Sequence, residues 1–170
     1  MTLTIRSEQP GDLAAIDALL RAAFADHPHS RQTEHLLVQA LREEGALSLA
    51  LVAEDAGEVV GYLAASPVTI DGADIGWLGL GPLAVLPARQ KAGIGAALAE
   101  ACLRRLRAEG IAGCVLVGDP AYYSRFGFVA DDTLVFPGIP APYCQCLRLT
   151  PEAQAVRGEV AYHPAFTRFG

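Results

Sequence analysis

The sequence predicts a mixed α/β domain, and three observations carry that prediction. Apolar residues recur with period two in some segments and with helical period in others. Strand-like Leu83–Leu86, a Gly-rich turn, a helical run from Gly93 to Glu109 and the apolar run Ile111–Val117 read together as a βαβ unit. Its two strands should be parallel, with a right-handed crossover. Two β-rich runs, Leu47–Asp55 and Glu58–Val68, are joined by Ala56-Gly57, a hairpin signal.

Each element has its own local reason. Thr2–Arg6 alternates and reads as a first strand. Pro10, Gly11 and Asp12 start a helix to about Ala25, with Leu13, Ile16, Leu19, Leu20 and Phe24 at helical spacing. After the turn His27-Pro28-His29, Ser30 reads as the N-cap of a second helix to about Glu44. Leu37, Ala40 and Leu41 should face inward, and Gly45 should stop it. Thr69 to Ala73 reads as a turn. Ile75–Leu86 reads as a long strand broken at Gly79-Leu80-Gly81-Pro82, the mark of a bulge or a close backbone approach. In the helix from Gly93, Ile94, Leu98, Cys102 and Leu106 share a face, and Arg104, Arg105 and Arg107 complement its negative end. Asp119 reads as N-cap and Pro120 as first residue of a short helix. Tyr143–Leu149 and Glu159–Tyr162 are further strands beyond a Pro-rich stretch.

Composition narrows the function. A chain of 170 residues that is 52% hydrophobic builds one substantial core, and no linker or repeat divides it. The chain lacks a basic region followed by an apolar core at its start and a long Gly-free apolar run. A cytoplasmic protein without a membrane span is therefore expected. Cys102, Cys114, Cys144 and Cys146 lack metal-ligand spacing and read as small buried apolar residues. His27, His29 and His35 lack a matching carboxylate cluster, so no metal is expected. The net charge of −6 is asymmetric: residues 1–81 carry 12 acids and 4 bases, residues 82–170 carry 7 acids and 9 bases. That balance suits an anionic cofactor beside a cationic substrate and argues against a nucleic-acid module.

The most informative stretch is Leu83–Gly95, Leu-Ala-Val-Leu-Pro-Ala-Arg-Gln-Lys-Ala-Gly-Ile-Gly. A Gly-rich turn feeding a helix N-terminus presents unpaired backbone N–H groups and a positive dipole end, which suits phosphate. A nucleotide P-loop is excluded, because no Gly-x-x-x-x-Gly-Lys-Ser/Thr occurs. A dinucleotide fingerprint is disfavoured: Leu98 stands where its third small residue belongs, and Pro87 to Ala92 separate strand from glycines. What fits is Gln90-x-x-Gly93-x-Gly95 preceded by Val85-x-Pro87. About thirty residues on comes Tyr123 with Gly127-Phe128, on a short helix after a buried strand.

These two motifs in this order resemble the GNAT acyltransferase superfamily, and Gly118-Asp-Pro-Ala-Tyr-Tyr-Ser-Arg-Phe-Gly-Phe128 resembles its YhbS-like branch. The resemblance spans most of the chain and is strongest over residues 77–130. It implies a GNAT fold: a central, mostly antiparallel twisted sheet of about seven strands, splayed at the middle, with flanking helices. One domain, 1–170, would hold the cofactor half at about 75–130 and C-terminal strands with the Pro-rich segment at 131–170. Acetyl-CoA is the implied co-substrate. Its pantetheine arm would pair with Leu83, Ala84 and Val85. Its pyrophosphate would meet the backbone N–H groups of Gln90, Lys91, Ala92, Gly93, Ile94, Gly95 and Ala96, with Arg89 and Lys91 as added point charges. One departure limits the transfer. Leu116 and Asp119 stand where many members carry Asn and Ala.

The chemistry follows from residue types. A primary amine is neutral on the order of one part in a thousand at pH 7, and only the neutral form attacks a thioester. A proton acceptor is therefore needed. A backbone N–H near Leu83 would stabilise the tetrahedral oxyanion. A phenol would protonate the leaving thiolate; Tyr123 is the choice, also as a cofactor contact, and Tyr122 the runner-up. The strand Ile75–Leu86 has no carboxylate or His, so Glu34 and Asp119 are the candidate bases. Glu34 also reads as a first-turn acid, and Asp119 as a cap. The expected function is acetyl transfer from acetyl-CoA to an amine on a small molecule or peptide. The alternative is a CoA-binding regulatory or sensor module without turnover. The Pro-rich tail either closes the acceptor pocket or mediates a homodimer.

Overall fold

The computed structural model describes residues 2–28 and 30–169. In chain order its elements are β1 (Leu3–Ser7), α1 (Leu13–Phe24), α2 (Glu34–Glu43), β2 (Leu49–Asp55), β3 (Glu58–Pro67), β4 (Thr69–Ile70) and β5 (Leu78–Val85). There follow α3 (Ile94–Ala108), β6 (Gly113–Val117), α4 (Pro120–Tyr123), β7 (Val129–Ala130), β8 (Leu134–Val135), β9 (Cys144–Arg148), β10 (Gly158–Ala161) and α5 (Ala165–Phe169). Seven strands form the main sheet in the order β1-β2-β3-β5-β6-β9-β7. All neighbours are antiparallel except β5 and β6, which run parallel around α3 as the βαβ reading requires. This is the architecture that the resemblance implies, a mostly antiparallel sheet of seven strands that parts at its middle.

Local chemistry sets the boundaries. A 3-10 turn, Pro10–Asp12, leads into α1, and the Asp12 carboxylate accepts the Gln9 N–H at 2.7 Å. Arg6 donates to the same carboxylate and holds it below the usual carboxylate range. Leu13, expected on the apolar stripe, is the first residue of α1 and is 38% exposed. Ser30 is not the N-cap of α2. The helix begins at Glu34 with Thr33 in the cap position, and the Ser30 hydroxyl donates to the Glu34 carboxylate instead. Gly45 ends α2 with φ +69°, and the Ala56-Gly57 turn has both residues at positive φ, the twist that joins two antiparallel strands.

Two layers cover the sheet. On one face α3 buries Ile94, Leu98, Cys102 and Leu106 against β2, β3 and β6. On the other, α1 and α2 enclose Ile16, Leu19, Leu20, Val38, Tyr62 and Ala84. Tyr62, fully buried, donates its hydroxyl to Glu8, and Arg42 grips the same carboxylate from α2. That bridge fixes α2 to the sheet. The four cysteines are buried as small core residues.

Sequence reading missed a second, smaller sheet. Thr69–Ile70, read as part of a turn, is β4 of a second sheet, β4-β10-β8; the turn itself is only Asp71-Gly72. This small sheet closes over Trp77, which lies against Gly113 with no room for a side chain there. Arg148 locks the layer: it pairs with Asp131 at 2.6 Å and donates to the carbonyls of Ala153 and Val156.

Gly61 of β3 lies beneath the start of α3. A Cβ there would stand 2.8 Å from Ile94 and 2.9 Å from Leu98. Gly61→Ala is therefore expected to destabilise the fold by about 1–3 kcal/mol through overpacking. Thermal denaturation followed by circular dichroism measures it, and an unchanged midpoint would refute the close approach.

Candidate active site

The site begins where β5 leaves β6. The two strands pair only at Leu78–Cys114 and Gly79–Val115, and then diverge. The divergence coincides with a register shift of β5 against β3, between Leu80 and Leu83, where Gly81 and Pro82 lie. Pro82 has no N–H to offer a ladder. Past the shift, Gly61 faces Val85 and the Leu86 N–H donates to Val60 O at 2.9 Å. Gly61 and Val85 therefore form a non-hydrogen-bonded pair. The backbone groups of Val85, and by alternation those of Leu83, point away from β3 into the gap. Ala84 points the other way and pairs with Tyr62. Of the three residues expected to meet an extended arm, Leu83 thus presents an open N–H and C=O and Val85 an open N–H, its C=O accepting from the Gln90 side chain, while Ala84 uses its own groups within the sheet.

The loop follows directly. Pro87–Arg89 makes a 3-10 turn, and the Gln90 side chain donates to Val85 O at 3.3 Å, tying loop to strand. Lys91 (φ +65°) and Gly93 (φ +83°) turn the chain through left-handed conformations into α3. The Ala97 N–H to Gly93 O bond opens the helix, so the N–H groups of Ile94, Gly95 and Ala96 have no intrahelical partner. This is a cradle of amides at a positive helix end, suited to a phosphate. Arg89 is directed elsewhere: it pairs with Asp55 at 2.6 Å and with Glu58 at 3.4 Å, across the β2–β3 turn. Lys91 is exposed at mid-loop.

At the end of β6 the chain enters α4. The Asp119 carboxylate accepts the Ala121 N–H at 2.9 Å and so caps this helix, as its position predicted. Tyr123 packs edge-on to Phe128 and against Gly118, where a Cβ would stand 2.6 Å from its ring. Burial pushes the Tyr123 phenol up to about 12, with Tyr122 and Asp119 acting in the same direction. Tyr122 packs perpendicular to Tyr123, with its hydroxyl over Gly95. The loop and the tyrosines thus come together through α3 and α4.

Glu34 lies apart from them. It is half-buried at the start of α2, both carboxylate oxygens within reach of the Ser30 hydroxyl (2.7 and 2.8 Å), and no hydrogen bond joins it to Tyr123 or Asp119. The acidic N-terminal half is also more engaged than its charge count suggested. Glu8, Asp12, Asp17, Glu44, Glu54, Asp55 and Glu58 all pair with arginines. Sequence reading missed Arg125, whose guanidinium stacks on Tyr122. The signal was the spacing of three on a short helix. Among the described residues no cluster of His, Cys, Asp and Glu could hold a metal ion, and no helix is long and apolar enough to cross a membrane. His29 lies outside the described residues.

Comparison with known proteins agrees with this geometry. A family profile described as "Acetyltransferase (GNAT) domain" matches residues 46–130. The Escherichia coli (strain K12) protein "Uncharacterized N-acetyltransferase YhbS" is 42% identical over 173 residues, covering 98% of this chain and 100% of that one. A crystal structure of a GNAT family acetyltransferase from Brucella melitensis in complex with acetyl-CoA superposes with a TM-score of 0.86 at 48% identity, covering 97% of this chain and 98% of that one. The structure of YhbS from Escherichia coli in complex with CoA gives a TM-score of 0.90 at 42% identity, covering 99% and 93% respectively. With a splayed β5, an amide cradle at α3 and relatives that match it from end to end, the chain belongs to the GNAT family of N-acetyltransferases.

Proposed function

We propose that this chain binds acetyl-CoA along β5 and the α3 loop, transfers the acetyl group directly to an amine, and uses Tyr123 as general acid. The observation that carries the reading is the open backbone of Leu83 and the open N–H of Val85, running straight into the unpaired amides of Ile94, Gly95 and Ala96. An extended amide-bearing arm suits the first, and a pyrophosphate suits the second. No metal takes part in this reading.

The residues divide the work. The Leu83 N–H, facing the gap, is the donor for charge that develops on the thioester oxygen when the amine attacks. Tyr123, at the end of β6, keeps its proton in neutral solution and supplies it to the departing thiolate. The amine must lose a proton before attack, and β5 carries no acid to take it. Glu34 is the base of this reading. It is half-buried, held in place by Ser30, and set on a helix that Arg42, Glu8 and Tyr62 anchor to the sheet. Asp119 is the second choice, because its carboxylate is engaged as a helix cap. The acceptor is an amine on a small molecule or peptide, and the protein works in the cytoplasm. A sensor without turnover would have no use for a buried phenol at the strand end, so catalysis is the better reading.

Release of free thiol from acetyl-CoA over a panel of amines tests the reaction, and absence of turnover with every amine would favour the sensor. Tyr123→Phe is expected to lower kcat at least tenfold with little change in acetyl-CoA affinity; unchanged kcat would remove Tyr123 from the acid role. Because burial raises the Tyr123 phenol, the wild-type rate should show no falling alkaline limb below about pH 10. If Glu34 is the base, Glu34→Gln should erase the rising limb of the pH profile. A profile of unaltered shape would pass the role to Asp119.

A further inference from the structure

The loop's own arginine is turned away from the phosphate cradle, and another arginine stands on its far side. Arg89 is drawn across the β2–β3 turn by Asp55 and Glu58. Arg125 has no such partner: among the described residues it forms no ion pair. Its one hydrogen bond runs from Nε to the Tyr122 carbonyl at 3.0 Å. Its guanidinium carbon lies 4.5 Å from the centre of the Tyr122 ring, a cation–π stack.

Tyr122 is itself well fixed. Its ring meets Tyr123 at 4.9 Å and 88°, and Phe126 at 5.7 Å and 70°. Its hydroxyl lies 3.1 Å from the point where a Cβ on Gly95 would stand, directly over the first turn of α3. A side chain at Gly95 would press on the Tyr122 hydroxyl. Glu100, further along α3, acts on Tyr122 electrostatically, and among the described residues it makes no ion pair with Arg125. The ring thus serves as a bracket. One edge rests on the amide cradle, and its face holds a guanidinium whose two terminal nitrogens are uncommitted. A stacked guanidinium with free terminal N–H groups is suited to a phosphate, and its planar fork is already oriented.

We propose that Arg125, held by Tyr122, is a coenzyme-binding residue that grips a phosphate of the coenzyme from the α4 side of the α3 cradle, and that Tyr122 is its positioning residue. The inference rests on the reading that acetyl-CoA binds here. It assigns the pair Tyr-Tyr two separate tasks: Tyr123 faces the thiol chemistry, and Tyr122 the phosphate. Coenzyme A carries phosphate in two places, the diphosphate and the ribose 3′-phosphate, and the ligands chosen for the test separate them.

The experiment measures binding of CoA, dephospho-CoA and pantetheine by the full chain, using calorimetry for the first two and a ligand-observed NMR titration for the third. Wild type is compared with Arg125→Gln and Tyr122→Ala, after thermal denaturation has shown that each variant is folded. Arg125→Gln should weaken CoA about tenfold, some 1.4 kcal/mol, flatten its salt dependence, and leave pantetheine unchanged. Tyr122→Ala should reproduce that pattern, and Tyr122→Phe, which retains the stacking face, should lose less. A loss shared by CoA and dephospho-CoA places Arg125 on the diphosphate; a loss confined to CoA places it on the 3′-phosphate. Equal weakening of all three ligands would mean a structural role and overturn the proposal, as would no weakening of any. Failure of wild type to bind CoA would instead overturn the cofactor reading on which the proposal rests.

Discussion

A sheet that stops pairing in its middle exposes backbone, and everything else in this molecule depends on that one failure of pairing. After Gly79, β5 and β6 no longer share hydrogen bonds, so the N–H and C=O groups of Leu83 and Val85 face a gap. Buried, such groups would carry a desolvation penalty of about 1–3 kcal/mol each. Open to a groove, they become a template on which an extended amide chain can complete the sheet. α3 turns the same strand end into an amide cradle, and α4 brings two tyrosines to its other side. Side chains contribute surprisingly little charge here. Of the loop's two cations Arg89 pairs with neighbouring acids and Lys91 is exposed, so in the proposed reading the backbone amides do most of the anion binding, with Arg125 beside them.

The rest of the fold keeps the gap open. α3 can lie low over β3 only because Gly61 has no side chain, and that closeness aims its first turn at the end of β5. On the opposite face, Glu8, Arg42 and Tyr62 tie α2 to β3. At the far edge Arg148 gathers Asp131, Ala153 and Val156 into a rigid layer against β6. Each strand flanking the gap is thus braced from behind.

Much of this was legible in the sequence, for identifiable reasons. The βαβ unit, the Ala56-Gly57 hairpin, the α3 stripe and the Asp119 cap are written in local periodicity and turn chemistry, and the structure contains them all. The strand break at Gly79–Pro82 was visible as well. What escaped depends mostly on partners distant in sequence. Asp55 and Glu58 capture Arg89 from more than thirty residues away, which no loop motif reveals. Ser30 sits four residues before Glu34, near enough to bond it instead of capping the helix. The β4-β10-β8 sheet pairs strands of two to four residues from three separate segments, too short to carry a period of their own. The direction of Ala84 depends on the register set by a bulge, and a one-residue change of register would reverse it.

The single tryptophan has a consequence of a different kind. Trp77 immediately precedes β5, and its indole packs against Gly113 at the start of β6, beside the two residue pairs that join these strands. It therefore sits at the vertex of the V. Its indole is the chain's one fluorophore that can be excited apart from the five tyrosines, and it is dry and near a guanidinium at the point where the two arms of the sheet part. Its emission colour and lifetime form a built-in optical gauge of the angle between those arms, readable in solution without a label.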